Sequence, residues 1–253
     1  MKFRISTLIL IQVLSVFSAC SSNTQSTLLK ANYLNYTYFY QSSASNRSLI
    51  IFLHGGVNNP YFDTAKQIQP EYLLEGNSYW LDEVKKQEFD LLLPVTKDSF
   101  EWLNHLSYTK VILDSMLMGL GTRYNQILIT GFSDGGTGAY KLFYSYKKDY
   151  DGLIVFNGYP QHKNFHKSVR FDSISKPVIF MGKLGDNTIP YEFLLGEYCN
   201  QKKFNSKTYL YIGEGEHNFQ TYDSTDLALV FELLKDSGNQ TESEPIHGFT
   251  KAG

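Results

Sequence analysis

The chain has 253 residues, of which 42% are hydrophobic, and this suits one large α/β domain with a substantial core. Its 23 basic and 25 acidic residues give a net charge of −2, so the chain lacks the strong positive field that nucleic-acid binding requires. We therefore expect no nucleic-acid partner and no long-range attraction of a charged substrate.

Residues 1–19 are predicted to be a secretory signal peptide. Lys2 and Arg4 precede an apolar stretch, Leu8 to Phe17, that is too short to span a bilayer as a mature helix. Cys20 follows directly after the small residues that end this segment. The arrangement resembles the lipobox of bacterial lipoproteins, which implies an exported chain held at a membrane of the cell envelope through a lipid on Cys20. Because Phe17 stands where that motif usually has leucine, an ordinary cleaved signal is the alternative.

The remaining sequence divides into three parts by composition. Residues 20–30 form a predicted polar tether, residues 31–236 form the domain, and residues 237–253 form a polar tail that we expect to be disordered. The chain has two cysteines, Cys20 and Cys199, so lipidation of Cys20 leaves no intramolecular disulfide and no zinc site built from cysteine alone. We expect Cys199 to be a small buried residue of a helix.

Within the domain, apolar runs of strand type alternate with helical patterns. Strands are predicted at residues 33–40, 48–53, 89–95, 127–132, 152–156, 177–181 and 208–212. Helices are predicted at residues 80–88, 100–120, 134–147, 191–201 and 224–235. This alternation indicates a mostly parallel central sheet with helices on both faces, in which a ligand site lies at the carboxyl ends of the strands.

A G-x-S-x-G motif, residues 131–135, lies between a predicted strand and a predicted helix. This context places Ser133 on a sharp turn that pushes its hydroxyl clear of the backbone. Gly131 and Gly135 leave room for the turn because they have no Cβ, and the helix that follows directs its free N–H groups at the serine. The alternative interpretation is a glycine-rich loop with an incidental serine.

His217 and Asp186 are the predicted partners of Ser133. A serine hydroxyl is a weak nucleophile that needs a base within hydrogen-bond reach, and the base needs an acid to orient it. His217 follows the last predicted strand and Asp186 follows the strand before it, which gives the order Ser, Asp, His. Glu214 and Glu216 are the alternative acids, although they share the loop of His217 and would have to reach back to its ring.

Acyl transfer also needs N–H donors for the developing oxyanion, each typically worth ~3 kcal/mol. The backbone N–H of Asp134 is one predicted donor, and the N–H of Gly56, in the turn after the strand at residues 48–53, is the other. We expect the ring of His54 in that turn to pack locally and to transfer no proton.

Together these motifs resemble those of the α/β-hydrolase superfamily, in particular its small esterases of the dienelactone-hydrolase, carboxylesterase and feruloyl-esterase types. The resemblance covers about residues 45–235 and includes His54-Gly55-Gly56, the motif around Ser133, and the segments at 185–190 and 215–217. It implies Ser133 as nucleophile, Asp186 as acid, His217 as base, and Gly56 with Asp134 as oxyanion hole. Because the connection 157–176 is short and charged, we expect no large lid.

The sequence therefore predicts a serine esterase of the bacterial envelope that acts on small-molecule or glycan-linked esters and needs no cofactor or metal. A peptidase or amidase on the same fold is one alternative, and a non-catalytic hydrolase-like binding protein is another. A metal enzyme that uses His162 and His166 is a weaker alternative, because no carboxylate partner is obvious beside them.

Overall fold

The computed structural model describes residues 29–33, 36–42, 47–56, 73–96, 100–158 and 174–239. Its strands are β1 (Leu29–Tyr33), β2 (Tyr36–Gln41), β3 (Ser48–Leu53), β4 (Asp90–Pro94), β5 (Gln126–Phe132), β6 (Gly152–Phe156), β7 (Val178–Lys183) and β8 (Thr208–Gly213). Its helices are α1 (Ser78–Lys86), α2 (Phe100–Asn104), α3 (Leu106–Leu120), α4 (Asp134–Ser145), α5 (Tyr191–Lys202) and α6 (Ser224–Asn239), with a 3₁₀ helix at Phe219–Thr221. No helix in this part of the chain is long and apolar enough to cross a membrane.

The strands form one sheet in the order β1-β2-β4-β3-β5-β6-β7-β8. Strand β2 is antiparallel to both of its neighbours, whereas every other pair of neighbours is parallel. The central strands β4, β6 and β7 are buried along their whole length, as parallel strands covered on both faces must be. The predicted mostly parallel sheet is confirmed.

Each face of the sheet carries its own apolar core, because side chains alternate along the strands. Ile50 and Phe52 of β3 pack into the core beneath α1 and α6. Leu49, Ile51 and Leu53 of the same strand face the other core, which contains residues of α2, α3, α4 and α5. Helices therefore cover both faces, as predicted, and the loops at the carboxyl ends of the parallel strands emerge at one edge between the two layers.

The first two strands form an antiparallel pair in which Tyr33 lies opposite Tyr36. The sequence predicted one strand over residues 33–40, and this prediction is wrong because tyrosine, which is typical of strands, is present on both sides of the reversal. Strand β1 also includes residues 29 and 30, which the prediction assigned to the tether.

The predicted single helix over residues 100–120 is interrupted at His105. This residue has φ −124° and ψ 50°, so its backbone is not helical, and α3 begins at the next residue. The carbonyl of His105 accepts the N–H of Thr109 at 2.8 Å, which makes His105 the N-cap of α3. Asn104 and His105 are weak helix formers, and the break occurs where they follow each other.

Cys199 lies on the exposed side of α5, and the prediction that it is buried is wrong. Only the stripe formed by Leu194, Glu197 and Gln201 is buried on this helix. These residues recur at helical spacing, and Cys199 falls outside their face.

Several predictions concern residues that lie outside the described part of the chain. They include the signal peptide, Cys20 with most of the tether, and the connection 159–173 in which a lid would be inserted, so these remain predictions. The helix α6 extends to Asn239, three residues into the predicted tail of residues 237–253.

Candidate active site

Ser133 lies at the sharp turn between β5 and α4, as the motif predicted. Its backbone has φ 56° and ψ −120°, a conformation that residues other than glycine rarely adopt and that tends to occur at functional sites. The turn is fixed by a hydrogen bond of 3.0 Å from the Ser133 N–H to the carbonyl of Phe156 at the end of β6.

Two glycines allow this turn to pack closely against β3. A Cβ on Gly135 would lie 2.0 Å from the carbonyl oxygen of Leu53, and a Cβ on Gly131 would lie 2.4 Å from the carbonyl carbon of Gly135. Real Cβ atoms do not approach backbone so closely, so any larger residue forces the turn to move. The two glycines that flank Ser133 in the motif are thus a steric requirement of this fold.

The structure brings His217 and Asp186 together with Ser133. Nε2 of His217 lies 2.9 Å from Oγ of Ser133, and Nδ1 lies 2.7 Å from Oδ2 of Asp186. Because an ionised carboxylate only accepts, Nδ1 carries the proton and Nε2 accepts the serine hydroxyl. The ring of His217 also packs on that of Phe132, with the ring centres 5.0 Å apart. The imidazole therefore has the tautomer and the position that a general base requires.

Asp186 is held in one orientation by donors on both of its oxygens. Oδ1 accepts the N–H groups of Thr188 and Ile189 at 2.8 and 2.7 Å, and Oδ2 accepts from Asn157 as well as from His217. The carboxylate side chain is fully buried, so these donors replace the water that it loses. Asp186 is the carboxylate that bonds Nδ1 of His217, whereas its two sequence rivals, Glu214 and Glu216, are exposed.

Asn157 and Tyr222 complete the surroundings of Asp186, and neither was predicted as a site residue. Asn157 directly follows β6 with φ 44°, a left-handed conformation that asparagine tolerates better than most residues. Tyr222 donates its hydroxyl to Oδ1 of Asn157, which fixes the amide so that Nδ2 faces Asp186. Burial raises the pKa of Tyr222 well above its ordinary value, so the hydroxyl keeps the proton that it donates.

His54 fixes the turn that contains the predicted donor Gly56. Its Nε2 accepts the N–H of Thr96 at 3.2 Å, so Nδ1 carries the proton and donates to the carbonyl of Gly55 at 2.9 Å. That carbonyl and the N–H of Gly56 belong to one peptide group, whose orientation is thereby set. Burial lowers the pKa of His54 from 6.5 to about 4, so the ring is neutral, in agreement with the expectation that it only packs locally.

The two predicted oxyanion donors, Gly56 and Asp134, belong to segments that adjoin Ser133. A Cβ on Gly55 would lie 3.5 Å from the Cβ of Ser133, so the turn that leads into Gly56 runs directly past the serine. Asp134 is the first residue of α4, where a backbone N–H has no acceptor within the helix.

The loop that carries His217 is bonded to a lysine that also forms a buried ion pair. Nζ of Lys183, at the end of β7, lies 2.6 Å from Oδ2 of Asp226 on α6, and it also donates to the carbonyl of Thr221 at 2.8 Å. The same ammonium lies 4.3 Å from the ring centre of Tyr222. Lys183 therefore ties the end of the histidine loop to the sheet and to α6.

Comparison of the sequence with protein-family models and with curated proteins found no match. The structure, in contrast, is similar to solved structures. The esterase Pf2001 of Pyrococcus furiosus is 13% identical with a TM-score of 0.60, over 83% of this chain and 91% of that chain. Est1E from Butyrivibrio proteoclasticus is 13% identical with a TM-score of 0.55, over 83% of this chain and 96% of that chain. The acylaminoacyl peptidase of Pyrococcus horikoshii is 13% identical with a TM-score of 0.59, over 86% of this chain but only 42% of that chain.

This chain has the α/β-hydrolase fold. At 13% identity the likeness concerns the fold and not the activity. Within this α/β-hydrolase fold the candidate residues Gly56, Ser133, Asp186 and His217 follow β3, β5, β7 and β8, whose carboxyl ends meet at one edge.

No group of three or more metal-binding side chains is arranged to hold an ion among the residues that this α/β-hydrolase structure describes. The alternative pair His162 and His166 lies outside those residues, as does the predicted lipidation site Cys20.

Proposed function

We propose that this chain is a serine hydrolase that cleaves carboxylic esters through an acyl-enzyme intermediate. The observation that carries the proposal is the continuous path of hydrogen bonds from Ser133 Oγ through the His217 ring to Asp186, at 2.9 and 2.7 Å. In this path Ser133 is the nucleophile, His217 the general base and Asp186 the residue that orients it. The rare backbone conformation of Ser133 gives further support, because strained positions tend to be functional.

Acylation begins when Oγ of Ser133 attacks the ester carbonyl carbon while Nε2 of His217 takes the hydroxyl proton. The carbonyl oxygen becomes an oxyanion, which the backbone N–H groups of Asp134 and Gly56 stabilise. Collapse of this intermediate breaks the bond to the alcohol, and His217 returns its proton to the departing oxygen. Asp186 stays ionised throughout and stabilises the imidazolium that forms in each step.

Deacylation repeats these steps with water. His217 takes a proton from the water molecule, whose oxygen attacks the acyl carbon, and the second intermediate releases the acid when the proton returns to Ser133 Oγ. The cycle consumes one ester and one water and yields one alcohol and one acid. It requires no cofactor.

We propose soluble or glycan-linked esters as the substrate class, in the bacterial envelope, with the chain anchored through Cys20. The short and charged connection at residues 157–176 supports this class, because an amphipathic lid would suit an interfacial lipid instead. The lipobox-like segment before Cys20 supports the location. Two of the similar structures are esterases by name, Pf2001 and Est1E, which is consistent with an ester substrate.

Hydrolysis of p-nitrophenyl esters of short acids by the wild type and by Ser133→Ala tests the proposal. We expect the wild type to turn over with a burst of p-nitrophenol and the variant to lose at least about 10³-fold in kcat/KM, because only the serine can form the acyl-enzyme. Thr137→Ala is a matched control, since it removes a hydroxyl that bonds the Ser133 carbonyl without touching the reacting atoms. Equal rates for wild type and Ser133→Ala would remove Ser133 as nucleophile.

A peptidase or amidase is the second candidate. It is favoured by the similarity to an acylaminoacyl peptidase, although this chain matches only 42% of that protein. A panel of acetyl, feruloyl and short-chain acyl esters with the matching amides decides between the two. Faster cleavage of the amides would favour the second candidate.

A further inference from the structure

The short segment before α1 turns its backbone towards the His217 loop. Glu75 has φ 50° and Gly76 has φ 78°, so two consecutive residues adopt left-handed conformations. A glutamate rarely does so without a structural reason. A Cβ on Gly76 would lie 2.6 Å from Nε2 of Gln220, which shows how closely the segment approaches the loop.

This segment holds both ends of the 3₁₀ helix at residues 219–221. Oε2 of Glu75 accepts the backbone N–H of Phe219 at 2.7 Å. Nδ2 of Asn77, the N-cap of α1, donates to the carbonyls of Phe219 and Tyr222 at 2.7 and 3.0 Å. The first N–H groups of a helix have no acceptor within it, so the carboxylate of Glu75 satisfies a donor that would otherwise be unpaired.

The bond between Glu75 and Phe219 lies close to the reacting atoms. Phe219 comes two residues after His217, and its ring lies 5.6 Å from that of Phe132, which precedes Ser133. Burial raises the pKa of the Glu75 carboxyl, while the hydrogen bond from the Phe219 N–H and the proximity of His217 act in the opposite direction. Glu75 precedes α1 and bonds the backbone of the His217 loop, whereas Asp186, which follows β7, bonds the His217 ring itself.

We propose that Glu75 is a positioning residue that holds His217 in line with Ser133 by accepting the N–H of Phe219. The proposal rests on the proposed function, because it assigns Glu75 a part in the same reaction. Loss of the bond lets the loop shift, and misplacement of a reacting group by about 1 Å costs up to about 100-fold in rate. Glutamine retains an oxygen that accepts the same N–H, whereas alanine does not.

The test compares Glu75→Ala, Glu75→Gln and the control Glu88→Ala. Glu88 also has a left-handed backbone, with φ 60°, but it lies beyond the far end of α1. We expect Glu75→Ala to lower kcat for a p-nitrophenyl ester by about 10-fold with KM within about twofold, because the bond orients the base and not the substrate. Glu75→Gln should stay within about threefold of the wild type in kcat, and Glu88→Ala should match it.

Hydrogen exchange at the Phe219 amide provides a readout that does not depend on activity. We expect its protection to fall in Glu75→Ala by at least about 10-fold and to be largely restored in Glu75→Gln. Wild-type kcat or unchanged Phe219 protection in Glu75→Ala would overturn the proposal, as would an equal loss in Glu75→Gln. If the wild type cleaves no ester, the proposed function fails, and the exchange measurement alone decides whether Glu75 holds the loop.

Discussion

The buried histidine at position 54 illustrates how one residue can support a site without taking part in chemistry. The residue is 1% exposed, and its ring packs edge-on against Trp102 with ring centres 5.5 Å apart and is bonded at both nitrogens. The bond to the Gly55 carbonyl sets the direction of the Gly56 N–H. A protonated ring would lose the acceptor for Thr96, so this arrangement requires the neutral form.

This requirement predicts a pH dependence of stability. The pKa of His54 is lowered from 6.5 to about 4 by burial, so between these values the unfolded chain binds a proton that the folded chain does not. The contribution of the neutral His54 ring to the free energy of unfolding is therefore present above pH 6.5 and is lost as the pH falls towards 4. We expect the free energy of unfolding of the wild type to lose about 2 kcal/mol more than that of His54→Gln between pH 7 and pH 5.

Urea denaturation of both proteins at several pH values measures this difference. His105→Gln, which removes an exposed histidine, is the control and should keep the pH dependence of the wild type. Parallel profiles for the wild type and His54→Gln would contradict the neutral buried ring.

At the scale of elements, the packing of the β5–α4 turn on β3 sets the position of the candidate nucleophile. The carbonyl of Leu53 touches the space that a Cβ on Gly135 would fill. The strand β3, which leads to the turn at residues 54–56, and the helix α4, which follows the serine, are therefore in direct backbone contact. This contact fixes the distance between the turn at residues 54–56 and the turn that carries Ser133.

We predict that Gly135→Ala lowers the free energy of unfolding by about 2–3 kcal/mol, because the new methyl group would lie 2.0 Å from backbone. It should also lower activity by displacing Ser133. Gly196→Ala on α5 is the matched control, since a Cβ there meets nothing within 4 Å. That change should raise the free energy of unfolding by about 1 kcal/mol. Equal effects of the two substitutions on the denaturation midpoint would contradict the packing argument.

At the scale of the whole molecule, the sheet order gathers residues that are far apart in the sequence. Strands β3, β5, β6 and β7 are neighbours and β8 follows, so the residues after them meet at one edge. The meeting of these residues at one edge was predictable from the sequence, because buried parallel strands have a strong apolar signal and each candidate residue follows one of them. The G-x-S-x-G motif and the order Ser, Asp, His then identified the residues that the structure brings together.

The supporting contacts could not be predicted from the sequence. Glu75 and Tyr222 lie in segments with no motif, and their partners are backbone or side-chain groups brought close only by the fold. Asn157 was visible as the end of a strand, but nothing in the sequence linked it to Asp186. Such contacts depend on tertiary packing, which local patterns do not encode.

The proposed location also concerns the whole molecule and predicts a covalent lipid on Cys20. Cells that express the full-length chain with a radiolabelled fatty acid should label the wild type and Cys199→Ala but not Cys20→Ala. Cys199 is a suitable control because it is exposed and free in the structure. Label in Cys20→Ala, or none in the wild type, would leave an ordinary cleaved signal as the better interpretation.

The most direct test of the account is to map the adduct that a fluorophosphonate probe forms with the folded protein. We expect mass spectrometry to find the probe on Oγ of Ser133, and we expect His217→Ala to slow labelling by at least about 10³-fold, since the hydroxyl then has no base. An unlabelled wild-type protein, or a probe attached to a different serine, would contradict the assignment of Ser133 as nucleophile.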